Sequence, residues 1–99
     1  MLTHIVVWKY KPEITEEQRA EHRRELKHLT NIIPEIISFN VGADMLNLPR
    51  SYDTGLVATF ADQAALDVYT NNAEHLKVAA LGKEISAHVV SVDFIESDK

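Results

Sequence analysis

Three of the five histidines in this chain, His4, His22 and His75, fall on apolar faces of the segments that carry them. An imidazole with an ordinary pKa of about 6.5 is largely neutral at pH 7 and can take a proton from a carbon next to a carbonyl. Gathered in one pocket, such rings suit enolisation or an aldol-type step. Tyr69, six residues before His75, is spaced to hold that ring or a developing oxyanion. The competing reading of each histidine is a buried ring hydrogen-bonded to backbone.

A metal site is the other chemistry open to histidines. The local spacing that most resembles a motif is His22, Glu25 and His28. Residues six apart on a helix point about 120° away from each other, so this set forms no site unaided. No metal and no cofactor are expected. Glycine-rich phosphate loops and serine-nucleophile elbows are absent from the sequence, and with no cysteine there is no thiol chemistry, disulfide or cysteine-type zinc site.

The candidate residues need elements to position them. Thr3 to Tyr10 is rich in β-branched and aromatic residues and reads as a strand, with His4, Val6, Trp8 and Tyr10 on one face and Ile5 and Val7 on the other. Thr15, with Gln18 three residues on, predicts a capped helix running to about Thr30, ahead of Pro34. Its buried stripe is His22, Leu26, Leu29 and Ile33, at spacings of four, three and four. A histidine therefore heads an apolar row.

Ile36 to Gly42 is expected to form a second strand, and Gly55 to Phe60 a third. Between them, Ala43 to Asp53 carries Met45, Leu46, Leu48 and Tyr52, more apolar than a solvated loop requires, and is a candidate lid or dimer arm. Tyr52 and Asp53 are read as turn and capping residues. Asp62 should cap a short helix through about Tyr69, and Asn71 or Asn72 the next, with His75, Val78, Ala79 and Ile85 on one side. His88 to Ile95 closes the order as a fourth strand. In it Asp93 sits among apolar residues, where Lys9 or backbone donors would satisfy it.

This order is the split βαβ pattern of an α+β, ferredoxin-like protomer with a four-stranded antiparallel sheet. Helices cover one face of such a sheet, and the other carries Val, Ile and Phe. Leaving about six such side chains in water forgoes roughly 1.5–3 kcal/mol each, against a total stability of about 5–15 kcal/mol. A second copy packed through the sheet face, giving a dimeric α/β barrel, is the simplest remedy.

Ninety-nine residues make a single domain, 1–99, with disorder expected only at Ser97 to Lys99. A net charge of −5 argues against nucleic-acid binding. The basic cluster of Arg19, Arg23, Arg24 and Lys27 is interrupted by Glu21 and Glu25, as on a solvated helix face. Ile5 to Trp8 is too short for a membrane span or signal-peptide core, so no membrane partner and a cytoplasmic location are expected.

Taken in order, His4-Ile-Val-Val-Trp-Lys-Tyr-Lys11, Asn31-Ile-Ile-Pro-Glu-Ile36, Phe39 with Val41-Gly42, Tyr52-Asp53 with Gly55-Leu56, Phe60 with Asp62, Tyr69 with His75, and Val92-Asp93-Phe94 resemble the stress-responsive dimeric α/β barrel (Dabb) family over nearly the whole chain. The resemblance implies dimerisation through the sheets and a pocket between each sheet and its own helices. Some plant relatives cyclise linear polyketide chains without a cofactor. By resemblance, His75 would be the base, Tyr69 its partner and His4 a support.

Val6, Trp8, Leu26, Val78 and His22 are the expected substrate-binding wall. The chain departs from the family at Asn71-Asn72-Ala73-Glu74, where relatives usually carry a proline and often another histidine. It departs again at His22 and Arg23, which occupy positions that are aromatic in the cyclising branch. The function expected is that of a small-molecule-binding homodimer, as a cofactor-free lyase, cyclase or isomerase. The alternative is a non-catalytic, stress-related structural or ligand-carrier dimer.

Overall fold

The computed structural model describes residues 1–96; the disorder expected at Ser97 to Lys99 lies outside the described residues. The elements run β1 (Leu2–Tyr10), α1 (Glu16–His28) with a 3-10 turn at Leu29–Asn31, β2 (Ser38–Ala43), β3 (Thr54–Phe60), α2 (Gln63–Asn71), α3 (Ala73–Ile85) and β4 (Ser86–Ile95). The strands form one sheet in the order β2-β3-β1-β4, with every neighbouring pair antiparallel. This is the ferredoxin-like α+β fold.

Local chemistry accounts for the boundaries. Thr15 caps α1 in a full capping box with Gln18, and Asp62 caps α2 by accepting from the Ala65 amide at 2.9 Å. The second strand begins at Ser38 rather than Ile36. After Pro34 the Ile36 amide turns back to the Ile33 carbonyl at 3.3 Å, so the ladder opens only when the Ile37 amide donates to Thr59 at 2.9 Å.

Opposed residues in the ladders share a face, and the pairings therefore sort the sheet into two sides. The helix side carries Leu2, Trp8, Tyr10, Leu56, Ala58 and Phe60, all buried against Leu26, Leu29 and Ile33 from the first helical segment and Tyr69, Val78 and Ile85 from the others. The opposite side carries Ile5, Val7, Val57, Val90, Val92 and Phe94. Of these, Val57, Val90, Val92 and Phe94 are exposed. A shortest dimension of 17 Å admits one helix layer and one sheet layer and no more.

The segment between β2 and β3 is tied down at its end. The Asp53 amide donates to the Trp8 carbonyl at 2.8 Å, its carboxylate accepts from the Tyr10 amide at 2.8 Å, and Lys9 and Arg19 flank it at 3.7 and 3.8 Å. Asp53 thus stitches the loop to β1. Further along, Met45 and Leu46 share a groove with Ile5, Val7 and Val57 on the uncovered face. The loop borders the face opposite the helices and contributes nothing to the cavity described next.

Candidate active site

A cavity of about 630 Å³ opens between α3 and the β1–β4 edge of the sheet. His4, Val6, Trp8, Leu26, Tyr69 and His75 all line it. Two of the expected residues do not. His22 and Val78 are buried in the core behind that wall.

The reason lies in the geometry of α3. His75, Ala79 and Lys83, at i, i+4 and i+8, face the cavity, whereas Val78, Gly82 and Ile85 form the adjacent row and face the core. The single apolar side expected from the sequence is two neighbouring rows with different jobs.

His75 stands in the first turn of α3, positioned by its cap. The Asn72 carboxamide oxygen accepts from the amides of Glu74 at 2.9 Å and His75 at 3.4 Å. The departure from the family pattern at Asn71 to Glu74 therefore supplies a helix start. His75 Nδ1 lies 3.0 Å from the Thr70 carbonyl, which can only accept, so Nδ1 carries the hydrogen and Nε2 is left as the basic lone pair. Burial pushes the pKa of His75 below its ordinary value, a hydrogen bond to Thr70 opposes this, and neighbouring His4 adds to the lowering. The ring is a neutral base at pH 7.

Tyr69 lies between the two cavity histidines, with ring centroids 4.2 Å from His75 and 5.9 Å from His4. Phe60 and Phe39 support it from behind at 5.1 and 6.2 Å. Burial raises its phenol pKa well above the ordinary value, so the hydroxyl stays protonated and remains a donor.

His4 has a partner that the sequence did not suggest. His4 and Asp93 are directly opposed on β1 and β4, and the Asp93 carboxylate accepts from His4 Nδ1. Lys9, the partner expected for Asp93, projects from the opposite face of β1, and its ammonium donates to the Ser51 carbonyl at 3.1 Å. Alternation along a strand forbids the Lys9–Asp93 pair and selects His4. The carboxylate turns Nε2 of His4 away from itself.

His22 belongs to a different network. The Tyr10 hydroxyl donates to Thr54 Oγ1 at 2.8 Å and lies 2.7 Å from His22 Nδ1, which accordingly donates to it. Nε2 of His22 is then a buried acceptor without a partner among the described residues. Burial lowers its pKa to about 4, with Arg23 adding to the effect. His22 is a core histidine satisfied on one side.

Among the described residues, no group of three or more His, Asp or Glu side chains comes together in a way that could hold a metal ion. No helix among them is long and apolar enough to cross a membrane.

The fold and cavity define a ferredoxin-like α+β protomer with a histidine-lined pocket under its helices. Residues 2–96 match the family model described as the stress responsive A/B barrel domain, Dabb, and the chain belongs to that family. Among solved structures it is similar to a dimeric ferredoxin-like protein of unknown function from Thermobifida fusca, with 25% identity, 94% of this chain and 88% of that one covered, and a TM-score of 0.86. It is also similar to an Arabidopsis thaliana protein, with 21% identity, 100% and 98% covered, and a TM-score of 0.85. A hydroxynitrile lyase from Passiflora edulis superposes with a TM-score of 0.88 at 20% identity, with 99% and 94% covered. A comparison with curated proteins returned no match.

Proposed function

We propose that this protein is a homodimer that binds a small carbonyl compound in the cavity and transfers a proton on it without a cofactor. His75 is the base. Its Nε2 takes a proton from the carbon next to the carbonyl, the C–H electron pair moves into a C=C bond, and the carbonyl oxygen becomes an enolate oxygen that the Tyr69 hydroxyl stabilises.

From that enolate, return of the proton to another atom is an isomerisation, attack on a second carbonyl of the same molecule is a cyclisation, and expulsion of a leaving group is a lyase step. His4, oriented by Asp93, supports the oxyanion from the other side of Tyr69. Val6, Trp8 and Leu26 form the apolar wall against which the substrate packs.

The observation that carries this reading is the Nδ1–H of His75 held on Thr70, which commits Nε2 to the basic role in an apolar cavity beside a phenol that stays protonated. One solved relative, from Passiflora edulis, is a hydroxynitrile lyase, so the scaffold hosts lyase chemistry in that protein. The dimer is supported by the exposed Val57, Val90, Val92 and Phe94 and by relatives described as dimeric.

The test is deuterium incorporation next to the carbonyl of aryl ketones and β-keto acids in D2O, followed by NMR. The unaltered protein should accelerate exchange, and His75→Ala should lower the rate by about 10²–10⁴-fold while light scattering still shows a dimer. Exchange that is unaffected by His75→Ala would leave a non-catalytic carrier or structural dimer as the better description.

A further inference from the structure

We infer that the end of the cavity farthest from His75 is a carboxylate-binding subsite made by Lys83 and Ser86. It follows that the substrate is an elongated acid whose reacting carbonyl lies at the opposite end of an apolar body. This deepens the proposed function and, for the position of the carbonyl, rests on it.

Ser86 follows the last residue of α3 and opens β4. The residue is 7% exposed, it lines the cavity, and its Oγ has no hydrogen-bond partner among the described residues. A buried hydroxyl without a partner is costly, and a ligand atom arriving in the cavity would relieve that cost. The backbone explains why Ser86 is there. Lys9 pairs with His88 and Tyr10 with Ser86, so Ala87 is an extra residue in β4, a bulge that re-aims the strand at this corner.

Lys83 lines the same end of the cavity, and no carboxylate among the described residues forms an ion pair with it. A cation beside an unpaired hydroxyl donor suits an anion. A carboxylate fits better than a phosphate ester, because the single ammonium matches one negative charge. The C-terminal carbonyls of α3 oppose an anion only weakly, and the charge-assisted bond to an ammonium outweighs this.

Spacing sets the ligand's length. Eight residues of α3 separate His75 from Lys83, about 12 Å at the helical rise. Between them the wall includes Ala79 on the helix, Val6 and Trp8 on β1, and Val89 and Ser91 opposite them on β4, without a charged group. A short β-keto acid, with its carboxylate one carbon from its carbonyl, cannot reach both ends. An acid with a medium-length alkyl or aryl spacer can.

The protein supplies its own probe, because Trp8 is the sole tryptophan and lines the slot. Titration followed by Trp8 fluorescence should show octanoate binding more tightly than either 1-octanol or butyrate. Lys83→Gln should weaken octanoate by about tenfold or more while leaving 1-octanol unchanged, and Ser86→Ala should weaken octanoate to a smaller degree. Octyl phosphate should bind no better than octanoate.

Equal affinity for octanoate and 1-octanol, or octanoate binding that ignores Lys83→Gln, would overturn the subsite. Tighter binding of octyl phosphate would replace the carboxylate with a phosphate. His75→Gln should retain the octanoate preference although it abolishes exchange, so loss of the subsite and loss of the catalytic reading are told apart.

Discussion

Gly82 sits directly over the imidazole of His22: a methyl carbon at residue 82 would lie 2.8 Å from His22 Nε2 and 2.9 Å from the Trp8 indole nitrogen. The two rings meet edge to face at 5.1 Å, and both are buried. The glycine is what lets α3 approach β1 this closely. Mid-helix glycine normally costs about 1 kcal/mol relative to alanine, so Gly82→Ala would be stabilising on helix propensity alone. Overpacking two buried rings costs about 1–3 kcal/mol and wins. Gly82→Ala should lower the midpoint of urea unfolding at fixed protein concentration with little change in slope. A raised midpoint would show that the rings yield freely.

His22 should make the fold acid-sensitive. Its pKa in the folded protein, about 4, lies below the ordinary 6.5, so protonation favours the unfolded chain. The stability it contributes is complete above pH 6.5 and is lost as pH falls from there toward 4. At about 1.4 kcal/mol per pH unit, the loss is on the order of 3 kcal/mol. Thermal unfolding of the unaltered protein between pH 7 and 4 should show this decline, and His22→Gln should flatten it. An equally steep decline in that variant would assign the acid sensitivity to other groups.

The catalytic pH profile should follow His75. Burial lowers its pKa below 6.5, so the basic form is dominant at pH 7 and protonation removes it only on further acidification. Proton-exchange rates should be flat from about pH 7 to 8 and fall on an acid limb whose midpoint lies below 6.5. A midpoint at or above that value would contradict the desolvated position of the ring.

Asp93 should matter more to catalysis than to stability. Its carboxylate is partly exposed, so its pairing with His4 contributes at most about 1 kcal/mol to folding. Asp93→Asn frees the ring of His4 to turn. The exchange rate should fall by about tenfold or more, yet by less than the roughly 10²–10⁴-fold loss expected for His75→Ala, with the unfolding midpoint nearly unchanged. An exchange rate equal to that of the unaltered protein would remove His4 from the mechanism.

Much of the architecture was legible in the chain. The alternation of His4, Val6, Trp8 and Tyr10, the Thr15–Gln18 box and the stripe through Leu26, Leu29 and Ile33 all depend on local periodicity, and each stands as read. What misled was proximity without direction. Charge alone suggests Lys9, or backbone donors, as partner for Asp93, whereas strand pairing puts it opposite His4. The third histidine, His22, shares the helix side of the sheet with His4 and His75, yet it is turned onto Tyr10. Lys83 and Ser86 give no signal in the sequence, because an exposed lysine and a strand-opening serine carry no pattern of their own.

By itself the sequence determined the order of elements, the greasy underside of the sheet and the histidine in the first turn of α3, because 3.6-residue and two-residue periods are written along the chain. Only the tertiary structure decided which polar groups share a cavity. That depends on strand register, a one-residue bulge at Ala87 and the close approach permitted by Gly82, which join residues dozens of positions apart.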